Sequence, residues 1–255
     1  MTREHKKKLV AVGLVVALGV PVILAALVVA ARAGALGLTL ACHLAGLTCM
    51  VLLGTSIALP LFIDAPRTDR LRGFVVVWFL MSAGFNVAWE LPLVVFRSSL
   101  TTLAFNVSNL PLGIAWWGYT LTDAHYREVT PLMVTIELTW LVANAIAVFG
   151  LLKLRGGDDA KAYVWLGVAG ALQGYNAALY IVANGVMDHY ANVASDSVFG
   201  PLLYWGFNLI WSCAAVGGSV TAFRLMFESR ASAPVAERVA PATRPAVAEG
   251  SLSRA

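Results

Sequence analysis

Six stretches of this chain run for twenty or more residues with almost no charge, near 9–31, 35–63, 73–96, 130–152, 162–184 and 200–227. A helix of about 20 apolar residues crosses the roughly 30 Å hydrocarbon layer of a bilayer. Inside that layer a backbone without water must satisfy its own hydrogen bonds, which leaves only helices and closed barrels. With 59% hydrophobic and 13% charged residues, a soluble domain is excluded. The expected fold is therefore an all-α polytopic membrane bundle of about six transmembrane helices.

The basic residues orient it. Short cytoplasmic loops collect Lys and Arg, and 15 of the 18 here fall on one side of the six-span arrangement, leaving Arg32, Arg97 and Arg127 on the other. Both termini are expected to be cytoplasmic. The net charge of +4 follows from this asymmetry and implies no nucleic acid. The first run is too long for a signal-peptide core and is expected to remain as a helix.

Four segments follow: a basic cytoplasmic N-terminus at 1–8, two transmembrane helices over 9–72, a four-helix catalytic bundle over 73–228, and a disordered tail at 229–255 rich in Ala, Pro, Ser and Arg. Within the bundle, 97–129 is too apolar for a solvated loop. It reads as a lid or interfacial segment packed on the bundle, with Trp116, Trp117 and Tyr119 at headgroup level. Cys42, Cys49 and Cys213 have no metal spacing, and no phosphate loop, dinucleotide fingerprint or zinc motif occurs, so neither a metal nor a cofactor is expected.

Two acidic residues, Glu90 and Glu137, lie deep within apolar runs. An ionisable group costs about 3 kcal/mol or more in a membrane span, and its retention points to function. Residues three, four, seven or eleven apart share a helical face. By that rule Asn86 and Glu90, with Trp89 beside them, mark one stripe, and Glu137, Trp140 or Leu141, and Asn144 mark another. Gln173, Asn176, Tyr180 and Asn184 form a third, and Tyr204, Asn208 and Trp211 a fourth. An amide alone serves helix packing as readily as chemistry, and His43 reads as a satisfied interior histidine. Four stripes turned inward, however, would enclose one cavity. A water-poor pocket disfavours the charged form of a carboxyl, so a glutamic acid there can act as an acid. A second carboxylate and aromatic faces would stabilise a cation. Carbocation chemistry on an apolar lipid fits these residues.

The same residues resemble the emopamil-binding protein family of sterol isomerases, the EXPERA domain, over about 73–228. Its D-x-x-Y with a membrane Glu fourteen residues after the Asp is similar to Asp123, Tyr126 and Glu137. Its Q-x-Y-x-x-x-x-Y run is similar to Gln173, Tyr175 and Tyr180, its N-x-x-W to Asn208 and Trp211, and its H-x-x-x-E pair to Asn86 and Glu90. The resemblance implies that Glu90 shuttles a proton to and from a sterol double bond. Glu137 and Asn208 would line the cationic centre, with Trp211 against the rings. Asn86 departs from the family's histidine, and an amide does not relay protons. FNVAWE at 85–90 resembles instead the N-x-A-W-E run of membrane-bound fungal meroterpenoid cyclases, with Glu90 as the initiating acid. Double-bond isomerisation ranks first, cyclisation second, and a non-catalytic sterol- or lipid-binding protein third. Transport is disfavoured without inverted repeats.

Site residues are thus Glu90, Glu137, Asn86 and Asn208 for catalysis. Trp89, Trp140, Trp211, Asp123, Tyr126, Gln173, Tyr175, Tyr180 and Tyr204 are assigned to substrate binding. Implied partners are a sterol or isoprenoid substrate, cationic amphiphiles and membrane lipid, with a homodimer left open. Heavy use of Ala, Val, Gly and Arg reads as a GC-rich bacterial source and hence the cell membrane; the endoplasmic reticulum is the eukaryotic counterpart.

Overall fold

The computed structural model describes residues 3–231, and apart from one isolated bridge between Asp123 and Val193 these form helices, turns and loops. The expected tail from 232 onward lies outside the described residues. Helices α1 (Arg3–Arg32), α2 (Leu38–Phe62) and α3 (Arg67–Phe85) come first. The third continues through a π-turn at Asn86–Glu90 into α4 (Leu91–Val95). Short helices α5 (Arg97–Thr101), α6 (Leu110–Thr120) and α7 (Ala124–Glu128) precede the long α8 (Pro131–Arg155), α9 (Asp159–Asp188) and α10 (Phe199–Ala231). Among the described residues, five helices are long and apolar enough to cross a membrane: α2, Arg67–Val95, α8, α9 and α10. Their outer faces carry exposed Leu80, Val142, Val182, Val220 and Phe227, the surface of an integral membrane protein.

Local chemistry sets the ends. Pro131 and the side chain of Thr130, which accepts from Met133 N–H at 3.4 Å, start α8. The Asp123 carboxylate caps α7 by accepting from His125 N–H. The π-turn has a cause in Pro92, which offers no N–H to the Ala88 carbonyl and crowds it. The backbone widens by one residue, so that Leu91 N–H donates to the Asn86 carbonyl.

In the core, α3, α8, α9 and α10 form a closed ring in which α3 touches α8 and α10, and α9 touches the same two. Around this ring α2 packs on α3 and α10, while α1 and α6 pack on α2. The ring centres on Trp78, Phe79, Tyr163, Leu166 and Tyr204. A second cluster under α1, α2 and α6 contains Trp116 and Trp117, 6% and 5% exposed. Both tryptophans are buried between helices of the protein itself. The segment 97–129 is a packed layer, with α6 wedged against α2, because its aromatic face needs a partner.

Lipid gives no hydrophobic drive for one helix to bind another, so close approach matters. At Gly170 a Cβ would stand 2.9 Å from both the Ala215 carbonyl oxygen and the Ser219 nitrogen, backbone atoms of α10 that have no room to yield. Gly170→Leu should push α9 off α10 and cost about 1–3 kcal/mol, the range for overpacking. Thermal unfolding in detergent checks it, with Gly84→Ala as control: Gly84 has nothing within 4 Å of that position. Equal midpoints for the two variants would mean that the α9–α10 contact is looser than described.

Candidate functional site

A cavity lies inside the ring, towards the end closed by α6 and α7. Its walls are aromatic: Phe85 and Trp89 from the third helix and its π-turn, Trp140 from α8, Tyr180 from α9, Phe207 and Trp211 from α10. Tyr119 of α6 and Tyr126 of α7 cover it. Glu90 and Asn208 face into it. None of the lining residues is Lys, Arg or His.

The rings hold one another. Trp211 sits 5.3 Å from Trp78, 5.2 Å from Phe85 and 5.6 Å from Trp140, centroid to centroid. Tyr119 packs edge-on against Tyr126 at 4.4 Å and Phe207 at 5.3 Å. Trp89 bridges Phe85 at 5.8 Å and Trp116 at 5.6 Å. Stacked, tilted and edge-to-face pairs at such spacing hold the ring faces and edges in fixed directions. The space left is about 40 Å³, room for roughly two or three water molecules.

Both carboxyls converge here. Glu90 is 8% exposed and Glu137 1%, and they are near enough to act on each other electrostatically. Each has one oxygen engaged. Asn86 Nδ2 donates to Glu90 Oε2, and the Tyr126 hydroxyl donates to Glu137 Oε1 at 2.5 Å. Glu137 Oε2 is buried with no hydrogen-bond partner. A buried carboxylate oxygen without a donor is costly unless it carries a proton or meets a cation.

The covering tyrosines remain neutral donors. Burial pushes the Tyr126 hydroxyl well above its ordinary range, and the nearby Glu137 charge pushes it further. Tyr119 is raised likewise by burial, then by Asp123 and Glu137. Asn208 donates from Nδ2 to the Tyr204 carbonyl at 2.8 Å, one turn earlier on α10, which fixes its amide.

Of the residues singled out in the sequence, Glu90, Asn208, Trp89, Trp140, Trp211, Tyr126 and Tyr180 line the cavity. Asn86 and Glu137 stand directly behind it through the bonds just given. Four others lie outside the lining. Tyr175 is 65% exposed on the outer face of α9, because two residues along a helix turn about 200° away from Gln173. Gln173 is buried but belongs to a packing network: it accepts from Trp78 Nε1 at 3.1 Å and donates to Ser82 and Asn144, both at 3.0 Å. Tyr204 lies outside the lining and accepts from Asn184 Nδ2 at 2.8 Å.

Asp123 is a positioning group. Its carboxylate accepts from the Tyr180 hydroxyl at 2.5 Å, Asn192 Nδ2 at 3.0 Å and His125 N–H at 3.0 Å. Burial lifts it above the usual aspartate range, and these three bonds pull it back only in part. Backbone bonds from Ala124 N–H to the Asn192 carbonyl and from Ala194 N–H to the Thr122 carbonyl pair the two loops, closing this end of the ring. Among the cavity and network residues that went unread in the sequence are Phe85, Ile136, Ala177, Phe207 and Trp78. All are apolar residues within apolar spans, and no local pattern separates such a residue from one that faces lipid.

The chain matches no family model, no curated protein and no solved structure.

Proposed function

We propose that this protein is a membrane-embedded enzyme that protonates a carbon–carbon double bond in a neutral, polycyclic lipid of the sterol or isoprenoid class and manages the resulting carbocation. The observation that carries this reading is the meeting of two buried glutamates at one aromatic cavity whose lining holds no basic residue. Two carboxyls in a low-dielectric site repel when both are charged, so without a cation one of them keeps its proton.

Glu90 is the acid. With Asn86 donating to Oε2, the proton resides on Oε1. It adds to one alkene carbon, the π electrons form the new C–H bond, and the neighbouring carbon becomes cationic. Glu137, held by Tyr126, supplies the compensating negative charge through Oε2, and ring faces of Trp140, Trp211 and Trp89 supply cation–π attraction, about 0.5–2 kcal/mol each. Loss of a proton from the carbon on the cation's other side, back to a glutamate, completes a double-bond shift with no net change in atoms or charge. The cavity is closed around a space far smaller than such a lipid, so loading requires its rings to swing aside.

The likeness to sterol isomerases at Asp123, Tyr126, Glu137, Asn208 and Trp211 supports isomerisation. One observation favours a second reading: Asn86 stands where that family has histidine and opens an N-x-A-W-E run similar to that of the meroterpenoid-type cyclases. The same proposal takes α1 as a sixth span and both termini as cytoplasmic, supported by the basic asymmetry.

The test is incubation of purified protein with sterol alkenes and, separately, with prenylated aromatic epoxides in deuterated water. One deuterium at an sp³ carbon of a double-bond isomer establishes isomerisation; a ring-closed product establishes cyclisation. Tight binding with neither product leaves a lipid-binding protein.

A further inference from the structure

A second cavity, about 510 Å³, opens between α3 and α8 at the opposite end of the ring. Its walls are Val76, Leu80 and Ala83 on α3 and Val148 and Leu152 on α8, and its mouth carries Arg72, Arg155 and Asp159. From Arg72 to Ala83 is eleven residues, about 16 Å along a helix. That is half of a roughly 30 Å hydrocarbon layer, so the groove spans one leaflet from charged mouth to apolar floor.

The mouth is built asymmetrically. Arg72 Nη2 pairs with Asp159, and Arg72 Nε donates to the Tyr163 hydroxyl at 2.6 Å. These contacts set the guanidinium in place at the mouth of the groove. Arg155 is exposed, and among the described residues no hydrogen bond or ion pair engages its guanidinium. Two guanidiniums and one carboxylate leave this mouth one net positive charge.

We propose that the α3–α8 groove is a specific site for an anionic phospholipid. The phosphate is held between Arg155 and Arg72, and one acyl chain lies along Val76, Leu80 and Val148. The inference is independent of the chemistry assigned to the inner cavity, and under the basic-side orientation it places the lipid in the cytoplasmic leaflet.

Delipidated full-length protein titrated with dioleoyl phosphatidylglycerol or dioleoyl phosphatidylcholine and read by native mass spectrometry tests it. Wild type should retain one phosphatidylglycerol about five- to tenfold more tightly than phosphatidylcholine, the effect of one basic residue at a lipid surface. Arg155→Gln should abolish that preference, and Val148→Trp, which fills the groove while sparing both arginines, should abolish retention of the single lipid. Glycerol 3-phosphate should not compete. Equal retention of the two lipids by wild type, an unchanged preference in Arg155→Gln, or full retention in Val148→Trp would each overturn the site. Competition by glycerol 3-phosphate would reassign it to a soluble anion.

Discussion

Glu90→Gln should lower turnover by about 10²- to 10⁴-fold, the contribution of a positioned general acid, while the protein folds and binds its lipid nearly as before. Glutamine keeps the shape of the side chain and an acceptor oxygen for Asn86 Nδ2, whose bond to Glu90 ties two residues one turn apart. It has no transferable proton. The measurement is deuterium incorporation from solvent, with thermal unfolding and ligand titration as controls. A glutamine variant with full incorporation would refute proton transfer from this residue, and the aromatic cavity would then stand as a binding site alone.

A sterol-like amphiphile carrying a tertiary ammonium should bind at least about 10²-fold more tightly than its uncharged carbon isostere, since mimics of a cationic intermediate take up the stabilisation built for it. The preference should rest on Glu137, whose Oε2 is buried and unpartnered. Glu137→Gln should therefore remove most of the preference and slow turnover by roughly 10²- to 10³-fold, the scale of losing one preorganised electrostatic partner. Tyr126→Phe should weaken both effects less, because it frees Oε1 without removing the charge. Competition binding against a labelled sterol checks the affinities. If the ammonium and its isostere bind alike, no cationic centre is stabilised here; if anionic prenyl diphosphates displace the label, the cavity has the wrong charge for this chemistry.

How much of this was legible in the sequence depended on whether a residue's role is local. Glu90 and Glu137 announced themselves because a carboxyl in an apolar run has few structural uses, and helical spacing correctly tied Asn86 to Glu90. The same spacing put Gln173, Asn176, Tyr180 and Asn184 on one buried face of α9. It did not say that this face serves different neighbours in turn. Gln173 meets α3 and α8, Asn176 donates to the Ile136 carbonyl, and only Tyr180 reaches the cavity. Tyr175 was misplaced because a motif match carries no phase. At 97–129 the helices that cover Trp116 and Trp117 were not legible, since a tryptophan at a membrane boundary and one buried under a neighbouring helix have the same local sequence. The groove at Arg72 and Arg155 joins residues 83 positions apart, and only the packing of α3 on α8 brings them together.

The π-turn at Asn86–Glu90 bears on sequence comparison. A turn closed five residues on, where an α-helix closes four on, holds one extra residue, and one residue is about 100° of rotation. The third helix is therefore two α-helical halves out of phase. The first half aims Trp78 and Ser82 at Gln173; the second aims Trp89 and Glu90 at the cavity. A helical wheel drawn through both misassigns one of them, and a homologue with an unbroken helix would align with this chain only through a single-residue gap between 85 and 91. Substitution patterns on the two sides of that gap belong to different helical frames and are to be compared separately.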